Sequence, residues 1–168
     1  MTEKYKRIKQ LALSEGWNNK YLNEITVLLQ EIFEDDLCGS DLFQVEITKI
    51  KNEKVVVILP KYSQTIIGQN NDFGLYPIVL DKLLEEILKL NYKYLIFSMN
   101  NIINTSDIGL SVISKFIEQF KERNGDFILC NITASQKNIF DLLRINEITK
   151  LYDTVIEAIE YLNKKIGT

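Results

Sequence analysis

Hydrophobic positions change their period near residue 43. Before it, Leu22, Ile25, Leu28, Leu29, Ile32 and Phe33 recur at i, i+3 and i+4, the signature of one apolar helical face. Residues 3–36 therefore read as two helices, parted by the stop and cap residues Ser14, Gly16, Asn18 and Asn19. EDDLCGSD at 34–41 breaks that pattern. From 43 onward FQVEITKI alternates, placing Phe43, Val45 and Ile47 on one side of a half-buried strand. KNEK at 51–54 is a polar turn and VVVILP at 55–60 a second, β-branched strand, so the pair reads as an antiparallel hairpin. Gly68, Asn70, Asn71, Gly74 and Pro77 mark 61–77 as a long loop.

Helical and extended periods then take turns. IVLDKLLEEILKL at 78–90 is an amphipathic helix, and YKYLIFSM at 92–99 a buried strand. A helix over 109–123 closes at Asn124-Gly125, which resembles a C-cap, and DFILCNI at 126–132 is the next strand. SQKNIFDLLR at 135–144 and TVIEAIEYLNKK at 154–165 are the last helices. The order ββαβαβαα predicts an α/β fold: a mixed, mainly parallel sheet with helices packed on it and its first strand antiparallel. Two regions follow, an N-terminal helical extension over 1–42 and a domain over 43–168.

Composition narrows the function more than the fold. The chain has 168 residues, 46% hydrophobic and 26% charged, which suits a folded domain with a real core. A net charge of −3, with basic residues scattered among acids, offers no general nucleic-acid or anionic-membrane surface. There is no histidine, which removes Ser-His and Cys-His catalysis and the commonest zinc ligand. Cys38 and Cys130 have no CxxC partner, so they read as free thiols in a reducing compartment. MTEKYKRIKQ is not followed by an apolar stretch, and no run approaches a membrane span, so a cytoplasmic protein without direct membrane insertion is expected. Glu34, Asp36, Glu85 and Glu86 read as solvated acids. Tyr92, Tyr94, Phe116 and Phe120 read as packing residues, and Asn100 and Asn101 as turn formers.

One stretch does not fit so plain a description. NTSDIGL at 104–110 joins the buried strand to the following helix with four polar residues and a glycine. In open α/β sheets, functional groups collect beyond the carboxyl ends of strands, where a helix N-terminus exposes unpaired amides and favours negative charge. Ser106 and Thr105 suit helix capping, Asp107 suits the first turn, and Gly109 would let a partner approach closely. IFSMNNIINTSDIGL at 96–110, followed by the helix, NG, FILCNI, FDLLRINEITKLY and DTVIEAI in that order, resembles the STAS domain of bacterial anti-sigma-factor antagonists. The resemblance covers roughly residues 43–165.

The resemblance implies a regulatory protein-binding module and not an enzyme, with no cofactor and no metal. Its partner would be an anti-sigma factor or a kinase-like regulatory protein, engaged through Asn104, Thr105, Ser106, Asp107, Gly109 and Leu110. The family's pattern is Asp-Leu-Ser, then Asp-Ser-Ser-Gly-Leu, its first motif serine being phosphorylated. Here Asp107 stands at that phosphoserine position, Ser106 at the aspartate before it, and Ile108 at the second serine. Ser98 takes the aspartate's place on the preceding strand. A fixed carboxylate imitates phosphoserine only in part, because the phosphate carries about −1.5 to −2 charges. The alternative is a STAS-type scaffold subunit of a signalling or membrane-associated complex. The extension over 1–42 could cross the sheet, carry a homodimer contact or add partner surface. Phosphorylation at Thr105 or Ser106, the sigma pathway and the oligomeric state stay open on the sequence.

Overall fold

The computed structural model describes residues 43–61, 75–102 and 107–167. The two expected helices within 3–36, Cys38, the boundary near 42 and most of the 61–77 loop lie outside those residues.

The hairpin forms as its alternation predicts. β1 (Phe43–Ile50) and β2 (Glu53–Pro60) pair antiparallel from Phe43↔Pro60 to Ile50↔Glu53, with Lys51 in a left-handed turn (φ 53°). β3 (Tyr94–Ser98), β4 (Asp126–Cys130) and β5 (Leu151–Tyr152) add in parallel, giving the sheet order β1-β2-β3-β4-β5. β-branched and aromatic residues dominate the inner strands because both of their faces are covered.

Helices follow strands as expected, with shifted ends. α1 (Leu75–Lys89) begins three residues before the predicted start. It takes in Pro77, since a proline in a helix's first turn removes an N–H that has no intrahelical partner. α2 (Asp107–Glu122) and α3 (Ala134–Leu142) fill the next connections, and α5 (Val155–Gly167) is the last described helix. Two elements escape the expected order: the single turn α4 (Ile145–Ile148) and the two-residue β5.

The sheet separates two apolar layers. On one face Phe43, Val56, Ile58, Leu95, Phe97, Phe127 and Leu129 meet Leu80, Leu83, Leu84 and Ile87 of α1, and Ile113, Phe116, Ile117 and Phe120 of α2. Opposite them, Ile50, Val55, Val57, Ile96, Ile128 and Cys130 meet Ala158 and Leu162 of α5. Phe116 and Phe120 are core residues as expected, whereas Tyr92 and Tyr94 pack only partly buried at its margins. Ile47 departs from the expectation: it is 56% exposed on β1, the edge strand of the described sheet.

Consecutive strand order explains the layering. Right-handed crossovers that always step in one direction put their helices on one face. α1 and α2 therefore share a face, and the other is left to α5.

Candidate functional site

The site begins where β3 ends. Met99 donates its N–H to the Cys130 carbonyl (2.8 Å), carrying the β3–β4 pairing one residue past the strand. The chain then turns, with the Ile102 N–H on the Met99 carbonyl (3.1 Å) and Asn101 left-handed at φ 65°. Asparagine tolerates that conformation better than other residues with a Cβ, and Asn100 and Asn101 are turn formers as expected.

Four side chains hold this turn and the strand ends beside it. Ser98, buried at 1% exposure, donates its hydroxyl to Asn131 Oδ1 and accepts the Asn100 N–H, both at 3.1 Å. Asn131 is left-handed (φ 56°) beyond β4 and donates Nδ2 to the Asp153 carbonyl (3.3 Å), joining the ends of β3, β4 and β5. Asn101 donates Nδ2 to the Pro60 carbonyl (3.3 Å) at the end of β2. Gln136 donates Nε2 to the Ile102 carbonyl (2.6 Å) from the first turn of α3. The exit of β3 is thus held from both neighbouring strands and from one helix.

α2 opens at Asp107, five residues after Ile102. Of the residues expected in the partner-facing stretch, Asn104, Thr105, Ser106 and the side chain of Asp107 lie outside the described residues. Gly109 is half-buried in the first turn of α2, and Leu110 is buried (5% exposed) in the core. Leu110 therefore anchors the helix. Ile108, at the family's second serine position, is 56% exposed on the same turn.

Ser98 lies buried at the end of β3. Its hydroxyl is consumed in the strand-end network, so its visible role is to fasten β3 to Asn131. Cys130, beside it, is fully buried, and that burial pushes its thiol up to about 12, partly offset by the Ser98 hydroxyl. A thiol so placed packs as a small apolar group and is a poor nucleophile.

Of the acids read as solvated, Glu34 and Asp36 lie outside the described residues, and Glu85 and Glu86 are half-buried in helix-surface pairs. Lys82 meets Glu85 (3.2 Å), Lys89 meets Glu86 (2.6 Å), and Lys115 meets Asp81 (2.8 Å). A half-open cavity of about 280 Å3, lined among others by Lys121, Asp126, Asn146, Lys150 and Tyr161, lies at the amino end of β4, opposite the site. Among the described residues, no His, Cys, Asp and Glu cluster could hold a metal ion, and no helix is long and apolar enough to cross a membrane.

The sequence reading missed Asn131 and Gln136. Thr133-x-x-Gln136 is a legible capping box, in which the Thr133 hydroxyl accepts the Gln136 N–H and the Gln136 side chain accepts the Thr133 N–H. Its second function, the reach back to residue 102, has no local signal.

The STAS domain family model matches residues 67–158, more than half of the chain, and the chain belongs to that family. A Thermotoga maritima protein described as a "putative anti-sigma factor antagonist" is 24% identical over 81 residues, 48% of this chain and 72% of that protein. The crystal structure of a Thermotoga maritima protein so described superposes with a TM-score of 0.59 at 20% identity, covering 72% of this chain and 94% of that one. A Planctomyces limnophilus anti-sigma-factor antagonist (STAS) domain protein gives a TM-score of 0.50 at 12% identity, covering 70% and 96%. These likenesses establish the fold.

Proposed function

We propose that this chain is a regulatory binding module of the anti-sigma-factor-antagonist kind. It acts in the cytoplasm by docking and not by catalysis, and it engages an anti-sigma factor or a kinase-like regulator through residues 104–110. The observation that carries this reading is the place of the family's motif. β3, the middle strand, ends at Ser98 and α2 opens at Asp107, so the elements that flank the motif are a strand's carboxyl end and a helix's start. The named relative and the histidine-free sequence support it.

In this reading Asp107 is a permanent negative charge where the family toggles one by phosphorylation. It also favours its own helix start by about 0.3–1 kcal/mol. A module so built is not switched at position 107; its state is set by its amount, by another site or by residues 1–42, which could also bring two copies together.

The experiment starts from the wild-type protein as bait, with the captured partner identified by mass spectrometry and Asp107→Ser then compared. A fixed charge that imitates phosphate predicts tighter binding by the serine variant, on the order of tenfold or about 1.4 kcal/mol, and phosphate on the new serine. Equal affinities would leave Asp107 a helix-start residue only, since serine also suits that position. Phosphate on Thr105 or Ser106 of wild-type protein from cells would show a displaced switch, and a transporter as partner would favour the scaffold role.

A further inference from the structure

We propose that Gln136 is a positioning residue, its buried amide fixing Ile102 in the turn that ends β3; the assignment rests on the reading of the stretch that follows, 104–110, as partner-facing. Only two buried polar side chains occur among the described residues, Ser98 and Gln136, each 1% exposed. A buried amide persists where its polar atoms are matched. Gln136 Oε1 accepts the Thr133 N–H (2.9 Å) within α3, and Nε2 donates to the Ile102 carbonyl (2.6 Å), 34 residues away in the chain. The partners fix the amide's orientation, because one is a donor and the other an acceptor, and turning it over would oppose like with like at both ends.

The residue type is informative. Glutamate closes a capping box as well as glutamine does, since the cap asks only for an acceptor. The Ile102 carbonyl asks for a donor, and Ile102 is itself buried at 4% exposure, with little access to water in its place. An amide alone serves both demands. Ile102 is also the last described residue ahead of 103–106, and its N–H is already committed to Met99. Holding its carbonyl therefore sets where the chain leaves the sheet toward Asp107. Asn101 and Ser98 hold the same turn to neighbouring strands, whereas Gln136 holds it to a helix, making the start of α3 and the start of α2 parts of one frame.

Backbone amide NMR of the full chain tests this without a partner. Gln136→Met, which has neither donor nor charge, is expected to shift the amide signals of residues 107–110 and to speed hydrogen exchange of the Ile102 amide, bonded to the Met99 carbonyl, about tenfold, the effect of one lost buried hydrogen bond. Gln136→Glu keeps the cap acceptor but sets a carboxylate against the Ile102 carbonyl. Its 107–110 signals are expected to be displaced at about pH 8 and to return toward wild type at about pH 5, as the buried carboxyl takes a proton and becomes a donor again. Thr133→Ala weakens the cap alone and is expected to move 134–137 only. Signals at 107–110 that stay fixed in both Gln136 variants, or that move equally in Thr133→Ala, overturn the proposal. If they move as stated while the captured partner, added to the wild-type chain, leaves the 107–110 signals unchanged, the binding reading of 104–110 fails alone.

Discussion

Gly125 shows what a single position can and cannot disclose. The dipeptide Asn124-Gly125 is legible in the sequence as a helix stop, and the usual inference gives the left-handed conformation to glycine. Instead Asn124 adopts it (φ 57°), with its N–H on the Lys121 carbonyl and the Gly125 N–H on the Phe120 carbonyl, the two bonds of a Schellman ending. Glycine is required next door for a different reason: a Cβ at 125 would lie 2.0 Å from the Lys93 carbonyl oxygen, which accepts the Asp126 N–H as β3 and β4 begin to pair. Gly125→Ala must push those strand ends apart and is expected to cost about 1–3 kcal/mol, as overpacking does. Asn124→Gly, which relieves a left-handed Cβ, should be neutral or stabilising. Urea unfolding separates them: a lower midpoint at unchanged slope for the alanine variant only. Equal midpoints would mean that the close approach is not what position 125 is for. The candidate site divides the same way. The junction proposed for it, 104–110, is one continuous stretch of the sequence. Its fastening by Asn131, Asn101 and Gln136 is not, because each bond joins residues far apart in sequence.

At the scale of elements, legibility follows length. α2 repeats its apolar residues through Leu110, Ile113, Phe116, Ile117 and Phe120, all of which are buried, and such a stripe survives errors at either end. α4 has four residues and β5 two, too few to complete a period of either kind, so they stay hidden inside FDLLRINEITKLY. The end of α1 shows the same asparagine solution as α2: Asn91 is left-handed (φ 60°), and its N–H bonds to the Leu88 carbonyl. α5 has the heaviest single duty, because its residues cover the second face. Lys51 from the hairpin turn donates to the Gly167 carbonyl (2.8 Å), where a cation favours a helix end, and Lys165 pairs with Asp126 (2.6 Å). Leu162 is fully buried against the sheet, and Leu162→Ala is expected to remove about 2–5 kcal/mol. A change below about 1 kcal/mol in chemical unfolding would mean that α5 is not needed to cover that face.

The whole molecule combines its strand order and its titrating groups into one further expectation. The described strands step one way across the sheet, without the reversal of order that opens a crevice for small ligands in other open sheets. The carboxyl ends of β2, β3, β4 and β5 lie along one edge of the sheet, and that of the antiparallel β1 lies at the other. The chain has no histidine, so no side chain ordinarily changes charge between about pH 6 and 8, and stability should be flat there. Every displaced titration resolved among the described residues lies above its ordinary value. Burial raises the Cys130 thiol from 9.0 to about 12 and, aided by nearby charges, raises the Tyr152 and Tyr161 phenols. Lys165 is lowered by burial but raised overall by its hydrogen bond and charge pairing with Asp126, and Lys89 is raised by Glu86. The sign is common to all. Above its ordinary value each group is already deprotonated in the unfolded chain while the folded chain still keeps the proton, so raising the pH draws the equilibrium toward unfolding. Stability from these groups is whole below about pH 9, and is lost as pH climbs through the raised folded values. Thermal melts should therefore superpose from about pH 6 to 8 and shift downward above about pH 9, with Cys130→Ala delaying the start of that decline. A melting temperature that climbs across the same alkaline range would contradict the burial assigned to Cys130, Tyr152 and Tyr161, and with it the packing of α5 over the sheet.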